Sequence, residues 1–118
     1  PYTNFFNLVT AVNTSGAALV PQVENLVDVD NWMRVFALQH IVGNWDAYGF
    51  NRGKNGYIYK PVDGRFQMIP WDIDFVLGSG SDGTSADLYG SNDPVINNLW
   101  NTPAFNRVYL RAFGDATQ

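Results

Sequence analysis

The fold is decided between residues 55 and 75, whose sequence is NGYIYKPVDGRFQMIPWDIDF. Residues 57–60 and 65–69 are rich in aromatic and aliphatic side chains and predict two strands. The segment between them, Pro-Val-Asp-Gly at 61–64, is a typical turn sequence. We therefore predict a β-hairpin, in which the beginning of the first strand lies beside the end of the second.

Helical patterns precede the hairpin. Residues 4–12 carry apolar side chains at helical spacing and predict a short helix, which the small residues that follow and Pro21 should interrupt. A second helix should begin at Asp28 or Asp30, either of which is a suitable cap, and end at Gly43. Because its apolar residues occupy most of its circumference, we expect this helix to be central and buried.

Two further helices follow the hairpin. Residues 78–90 are rich in Gly, Ser and Asp and predict a long, mobile loop. Helices are then expected over residues 95–100 and 104–113, each with a proline in its first turn, the second ending at Gly114. The fold class predicted is α+β, with helices around a β-hairpin in one domain that spans residues 1–118.

Composition excludes several classes of function. The 118 residues include 7 basic and 11 acidic side chains, a net charge of −4, which disfavours nucleic-acid binding through a basic face. No apolar run reaches the roughly 18 residues of a membrane span, so no membrane partner is expected. Cysteine is absent and His40 is the single histidine, which disfavours zinc. His40 lies in the buried helix and is expected to be a core residue.

Polar residues with ligand chemistry flank the hairpin. Asp46 opens the loop after the buried helix, Asn51 and Asn55 follow in that loop, and Asp72 and Asp74 stand at the end of the second strand. The hairpin should bring Asn55 beside the two aspartates. An amide oxygen and carboxylates that converge form a site for a hard cation such as Mg²⁺ or Ca²⁺. Asp46, one loop away, is placed to act as a base.

Each of these residues also has a structural alternative. Asp46 is able to cap a turn, and asparagine tolerates left-handed loop positions. The aspartates after the second strand could be ordinary surface residues, but carboxylates within an apolar run usually have a partner or an ion. Lys54, Lys60 and Arg52 are expected to be solvated, with Arg52 the one placed to touch a substrate.

Three separated blocks carry a resemblance to a known family. They are NWD at 44–46, KNGYIY at 54–59, and IPWDID at 69–74 with Gly78; the helix opening VDVDNW at 27–32 adds to them. Between about Leu26 and Gly78 the chain resembles the spore-coat protein H (CotH) kinase family. An aspartate, then an asparagine before a hairpin, then an aspartate after it is also the layout of a protein-kinase catalytic core.

The resemblance implies an atypical kinase-like fold and Mg²⁺-dependent phosphoryl transfer from ATP to Ser/Thr residues of a protein. By this resemblance Asp46 is the catalytic aspartate that accepts the substrate hydroxyl proton. Asn55 and Asp72 hold the metal and, through it, the nucleotide. Asp74 is a neighbouring metal ligand, and Asn51 ranks second to Asn55 because no strand follows it directly.

A kinase also has a glycine-rich cover over the phosphates and a lysine on a preceding lobe. Lys54 and Lys60 both follow Asp46, and the 45 residues before Asp46 predict helix, loop and helix. The chain therefore resembles the C-terminal lobe of a kinase-like fold with the N-terminal lobe absent. We expect a fragment of a longer CotH-like domain, inactive alone, with an apolar surface near the site that is open to self-association. The family implies an extracellular location or the cell or spore surface.

Three other function classes remain open at this point. One is a Ca²⁺-supported carbohydrate- or surface-binding module of a secreted multidomain protein, which would use exposed Trp and Tyr faces. Another is a hydrolase with Asp46 opposite Asp72 as acid and base. The last is a purely structural domain.

Overall fold

The computed structural model describes residues 2–49, 53–78, 87–90 and 93–118. Within these residues the fold is α+β, as predicted, with helices around one antiparallel hairpin. The elements in chain order are α1 (Thr3–Val12), a 3₁₀ turn (Gly16–Ala18), α2 (Leu19–Leu26), α3 (Val29–Ile41), β1 (Gly56–Tyr59), β2 (Gln67–Pro70), α4 (Pro94–Asn101) and α5 (Pro103–Ala116).

Helix α3 is the central element, in agreement with its apolar circumference. The Asp28 side chain caps it by accepting a hydrogen bond from the backbone N–H of Asn31 at 3.1 Å. The helix packs against α5 and against β2. Its buried residues are Trp32, Met33, Val35, Phe36, Ala37 and Gln39. Gly43, at φ +67°, follows the helix in the left-handed conformation typical of a helix end.

The hairpin is attached to the start of α3. Strands β1 and β2 pair from Gly56 opposite Pro70 to Tyr59 opposite Gln67. Met68, which is buried, donates its backbone N–H to the side-chain oxygen of Asn31 at 2.7 Å. Phe66 exchanges backbone hydrogen bonds with the α2–α3 junction, to the carbonyl of Leu26 at 2.7 Å and from the N–H of Asp28 at 3.0 Å. These bonds fix the orientation of the hairpin on the helices.

Two predicted helix breaks are wrong, and helix α2 was not predicted. Pro21 does not interrupt helical structure, because it is the third residue of α2, where its missing N–H has no helical partner to lose. Gly114 does not end α5, which continues to Ala116. Burial of Phe105, Tyr109 and Ala112 against the core stabilises this helix enough to tolerate one glycine.

Aromatic side chains link α3 to the C-terminal helices. The imidazole of His40 lies edge-on to Trp100, with ring centroids 5.2 Å apart, and also contacts Tyr109, so it is a core residue as predicted. The hydroxyl of Tyr109 donates to the carbonyl of Leu88 at 2.5 Å. Burial raises the pKa of Tyr109 well above its ordinary value.

The described helices carry no membrane signature. None of them combines the length and the apolar character that crossing a bilayer requires.

Candidate functional site

Asp46 lies in the loop that follows α3. The loop turns back sharply, because the backbone N–H of Asn44 donates to the carbonyl of Gln39 at 2.8 Å. The Asn44 side chain is completely buried, and Ala47 on the other side of Asp46 is also buried. The Asp46 side chain is only 7% exposed. A carboxylate held at this depth needs hydrogen-bond donors, and the far end of the same loop supplies them.

Asn55 is the first of these donors. Its Nδ2 contacts both the backbone carbonyl of Asp46, at 2.8 Å, and Oδ2 of the Asp46 carboxylate, at 3.2 Å. Because the amide nitrogen points to Asp46, the amide oxygen is the atom that Asn55 has left for a cation. Asn55 lies at φ +59°, a left-handed conformation that asparagine tolerates better than most residues. The predicted left-handed position and the predicted ligand role are therefore compatible.

Lys54 is the second donor; it is exposed, as predicted, and it also makes an ion pair that the sequence did not indicate. Its Nζ lies 2.7 Å from Oδ2 of Asp46, while about half of the lysine side chain is exposed. The backbone carbonyl of Lys54 accepts a hydrogen bond from the N–H of Tyr48 at 2.8 Å, which closes the described ends of the loop. No local feature of the sequence indicated this contact, because a lysine in a polar loop has the same sequence context whether it is solvated or paired.

The segment with the other two aspartates crosses the same region. Trp71 donates its backbone N–H to the carbonyl of Asn55 at 3.1 Å, which confirms that the end of β2 lies beside the head of β1. Asp72, next in the chain, is exposed and left-handed at φ +56°. Further on, the ring of Phe75 packs on Trp45, with centroids 5.5 Å apart.

The segment ends against the C-terminus of α3. The backbone N–H of Leu77 donates to the carbonyl of Val42 at 2.7 Å. Asp72 and the exposed Asp74 thus lie on a strap that runs from the Asn55 backbone to the end of α3, next to the Asp46 loop. Three of the predicted residues are therefore brought together. Asp46 and Asn55 are in direct contact, and Asp72 directly follows Trp71, which is hydrogen-bonded to the backbone of Asn55.

The donor chemistry fits a hard cation. Asn55 offers an amide oxygen, and Asp72 and Asp74 offer carboxylates, which are ligand types that Mg²⁺ and Ca²⁺ prefer. Within the described ranges no group of three or more His, Cys, Asp or Glu residues is arranged to hold a metal. Asp46, Asp72 and Asp74 are therefore not placed together as ligands of one ion. Asn55 with Asp72 and Asp74 would suit a cation that keeps several waters or substrate oxygens as ligands. Asn51 and Arg52 lie outside the described residues.

A groove of about 250 Å³ opens beside Lys54. Its walls are mainly apolar, and they are formed by Tyr48, Gly53, Lys54, Gly56, Tyr57, Ile58 and Met68. Burial, and to a lesser degree the negative charge of Asp93, raises the pKa of the Tyr48 hydroxyl to about 12. The groove therefore combines ring-sized apolar surface with one ammonium group at its edge.

The outer face of the hairpin is apolar and exposed. Tyr57 and Trp71 form an edge-to-face pair with centroids 5.6 Å apart, and each is more than half exposed. Ile69, which pairs with Tyr57 across the strands, is exposed as well. Ile73 and Phe75 continue the exposed apolar surface along the strap. The apolar surface expected near the site is therefore present.

Comparison with known proteins gives one result. The chain matches the family model described as CotH kinase protein over residues 1–118. No curated protein sequence and no solved structure matches the chain.

Proposed function

Because that match spans all 118 residues, the chain belongs to the CotH kinase family, and we propose that it carries the catalytic centre of a Mg²⁺-dependent protein kinase. The proposed donor is ATP and the proposed acceptor is a Ser or Thr hydroxyl of a protein. Family membership supports a kinase-like chemistry, and the residues of the site support the individual roles.

The observation that carries the proposal is the contact between Asn55 and Asp46. One amide joins the proposed base to the proposed metal site, with Nδ2 on Asp46 and the oxygen left for a cation. Such an arrangement holds the base at a set distance from the phosphates, and phosphoryl transfer depends mainly on positioning and charge stabilisation. A surface-binding module has no need for a buried carboxylate that is joined in this way to an exposed ligand set.

The proposed reaction uses Asp46 as the proton acceptor. The acceptor hydroxyl oxygen forms a bond to the γ-phosphorus of ATP, and the bond between that phosphorus and the β–γ bridging oxygen breaks. The hydroxyl proton passes to the Asp46 carboxylate, and ADP leaves with the bridging oxygen. The role of Asn55 and of the buried neighbours of Asp46 is to keep the carboxylate in a single orientation during this transfer.

The metal would be held by Asn55, Asp72 and Asp74. When bound, Mg²⁺ supplies positive charge that neutralises the phosphate oxygens of the nucleotide. The exposure of both aspartates leaves them accessible to a ligand that enters from solvent. Asp72 is the primary carboxylate ligand in this proposal because it directly follows the Trp71–Asn55 hydrogen bond.

Location and partners follow from the family and from the surface. CotH is a spore-coat family, and we propose that this member acts outside the cell or at a cell or spore surface. The apolar outer face of the hairpin, around Tyr57 and Trp71, is the proposed contact with a protein, including a second copy of this chain.

The test is an assay of the protein in its natural full length with radiolabelled ATP, Mg²⁺ and a protein acceptor. Asp46→Asn should abolish phosphoryl transfer, while the binding of Mg²⁺ with a nonhydrolysable ATP analogue, measured by calorimetry, should remain. Asp63→Asn, in the exposed turn of the hairpin, is the matched control and should behave as wild type.

Retention of transfer by the Asp46 variant would contradict the proposed base. A wild-type protein that Ca²⁺ or glycans stabilise against heat, and that Mg²⁺ with nucleotide does not, would favour the binding module instead.

A further inference from the structure

We propose that Lys54 is a phosphate-binding residue that exchanges Asp46 for a phosphate of the bound nucleotide, and so uncovers the proposed base only when nucleotide is present. This inference rests on the proposed kinase function. It assigns a role to a residue that is neither a metal ligand nor the base.

The backbone of Lys54 is anchored, whereas its side chain is half exposed and is held by an ion pair with Asp46. Its carbonyl accepts the hydrogen bond from Tyr48, and its neighbour Asn55 is held on Asp46 by two hydrogen bonds. The lysine side chain is 49% exposed, and it approaches a carboxylate that is 7% exposed. The ammonium group therefore covers the carboxylate from the solvent side. The exposed lysine is the member of this pair that is able to move, and a phosphate in the groove would compete with Asp46 for its ammonium group.

The negative charge of the site favours a cationic side chain that contacts the phosphates in addition to the proposed Mg²⁺. Asp46, Asp72 and Asp74 bring negative charge to the region where an anionic nucleotide would bind. Lys54 contacts Asp46 and also lines the groove beside it, so its Nζ is able to turn from the carboxylate toward a ligand in the groove. A lysine ammonium is a common binder of phosphate oxygens, as a mobile point charge.

The exchange would link nucleotide binding to the activation of the base. Oδ2 of Asp46 receives donors from both Lys54 and Asn55. When Nζ moves to a phosphate oxygen, one acceptor position on Oδ2 becomes open to the hydroxyl of the acceptor protein. An acceptor hydroxyl is then bonded productively only after nucleotide has bound, which disfavours proton transfer in an empty site.

The other lysine of the chain provides the control. Lys60 stands just after β1, and its Nζ contacts the carbonyl of Pro61 at 3.4 Å, at the turn end of the hairpin. Both lysines lie next to the same strand, but at opposite ends of it. Substitutions at the two positions therefore change the net charge equally, but of the two lysines it is Lys54 that contacts Asp46 and lines the groove.

The first experiment is calorimetry on the full-length protein with Mg²⁺–ATP, tripolyphosphate and adenosine as separate ligands. Lys54→Met should weaken binding of Mg²⁺–ATP and of tripolyphosphate about tenfold, the effect expected for one charge-assisted hydrogen bond, and leave adenosine binding unchanged. Lys54→Arg should keep most of the phosphate affinity, and Lys60→Met all of it. If Lys54→Met fails to fold, Lys54→Gln is the replacement.

A second experiment measures the exchange itself. Acetylation of the two lysines by an amine-reactive reagent is followed by mass spectrometry, with and without Mg²⁺–ATP. Nucleotide should protect Lys54 and leave Lys60 unchanged.

The outcomes separate the two proposals. If the wild-type protein binds Mg²⁺–ATP but Lys54→Met binds it equally well, the role of Lys54 is wrong and the kinase proposal stands. If the wild-type protein binds no nucleotide, both proposals are overturned.

Discussion

Substitution of Asn55 tests the central contact of the site most directly. The Asn55 side chain makes two hydrogen bonds to Asp46, one to a neutral carbonyl at 2.8 Å and one to a carboxylate at 3.2 Å. The residue is also left-handed, at φ +59°. Asn55→Gly removes the amide and keeps the backbone conformation accessible. Asn55→Ala removes the amide and places a Cβ where left-handed backbone is strained.

The expected losses of stability follow from the lost hydrogen bonds and from how each replacement residue tolerates the left-handed backbone. Each lost hydrogen bond costs about 1 kcal/mol, and the greater freedom of glycine in the unfolded chain adds about 0.5 kcal/mol, so Asn55→Gly should lose about 2.5 kcal/mol. Alanine adds about 1–2 kcal/mol of left-handed strain instead, so Asn55→Ala should lose about 3.5 kcal/mol. Either value is a large part of the roughly 5–15 kcal/mol that stabilises a typical domain.

Urea unfolding followed by tryptophan fluorescence measures both variants. The midpoint of Asn55→Gly should fall by about 2 M, for a slope of about 1–1.5 kcal/mol per M, and that of Asn55→Ala by more. The slope itself should not change, since the variants expose the same surface on unfolding. Losses below about 0.5 kcal/mol in both variants, or an alanine variant as stable as the glycine variant, would refute the account of this contact.

Three further predictions concern the metal ligands, the buried tyrosine and the hairpin face. Asp72→Ala should lose Mg²⁺-dependent nucleotide binding in calorimetry and Asp74→Ala should weaken it less; the reverse order would move the primary ligand to Asp74. Burial raises the pKa of Tyr48 to about 12, whereas an unfolded tyrosine ionises near 10. The free energy of unfolding should therefore fall between pH 10 and pH 12, because the unfolded chain loses its proton first. Urea titrations at each pH should show a smaller fall for Tyr48→Phe. If the outer hairpin face binds a second copy, sedimentation velocity should show association that Trp71→Ser abolishes; an unchanged sedimentation coefficient across concentrations would exclude this contact.

Much of the fold was predictable because its signals are local. The hairpin, the cap of α3 at Asp28 and the proline-marked starts of the last two helices each depend on a few consecutive residues. One error concerned a proline that falls in the first turn of a helix, and the other a glycine whose helix is stabilised by tertiary packing. Pro21 is accommodated in the first turn of α2. Gly114 is tolerated within α5 because the packing of this helix on the core outweighs the low helix propensity of glycine.

Some features of the site were likewise predictable from the sequence alone. The residue types and their order along the chain, with Asp46 before Asn55 and the aspartates after β2, predicted the family, which the family model confirms. The ligand chemistry that the same residues indicate stays a prediction. The meeting of Asn55 with the end of β2 also followed from sequence, since a hairpin brings its two open ends together.

Only the tertiary structure decided which side chains hold Asp46. Asn55 is nine residues from Asp46 and Lys54 eight, while Ala47 and Tyr48, which follow Asp46 directly, pack against the core. Lys54 carries no local signal that separates a solvated lysine from a paired one. The difference is made by the burial of the Asp46 carboxylate, because a charge removed from water must find donors, and burial is a property of the whole fold.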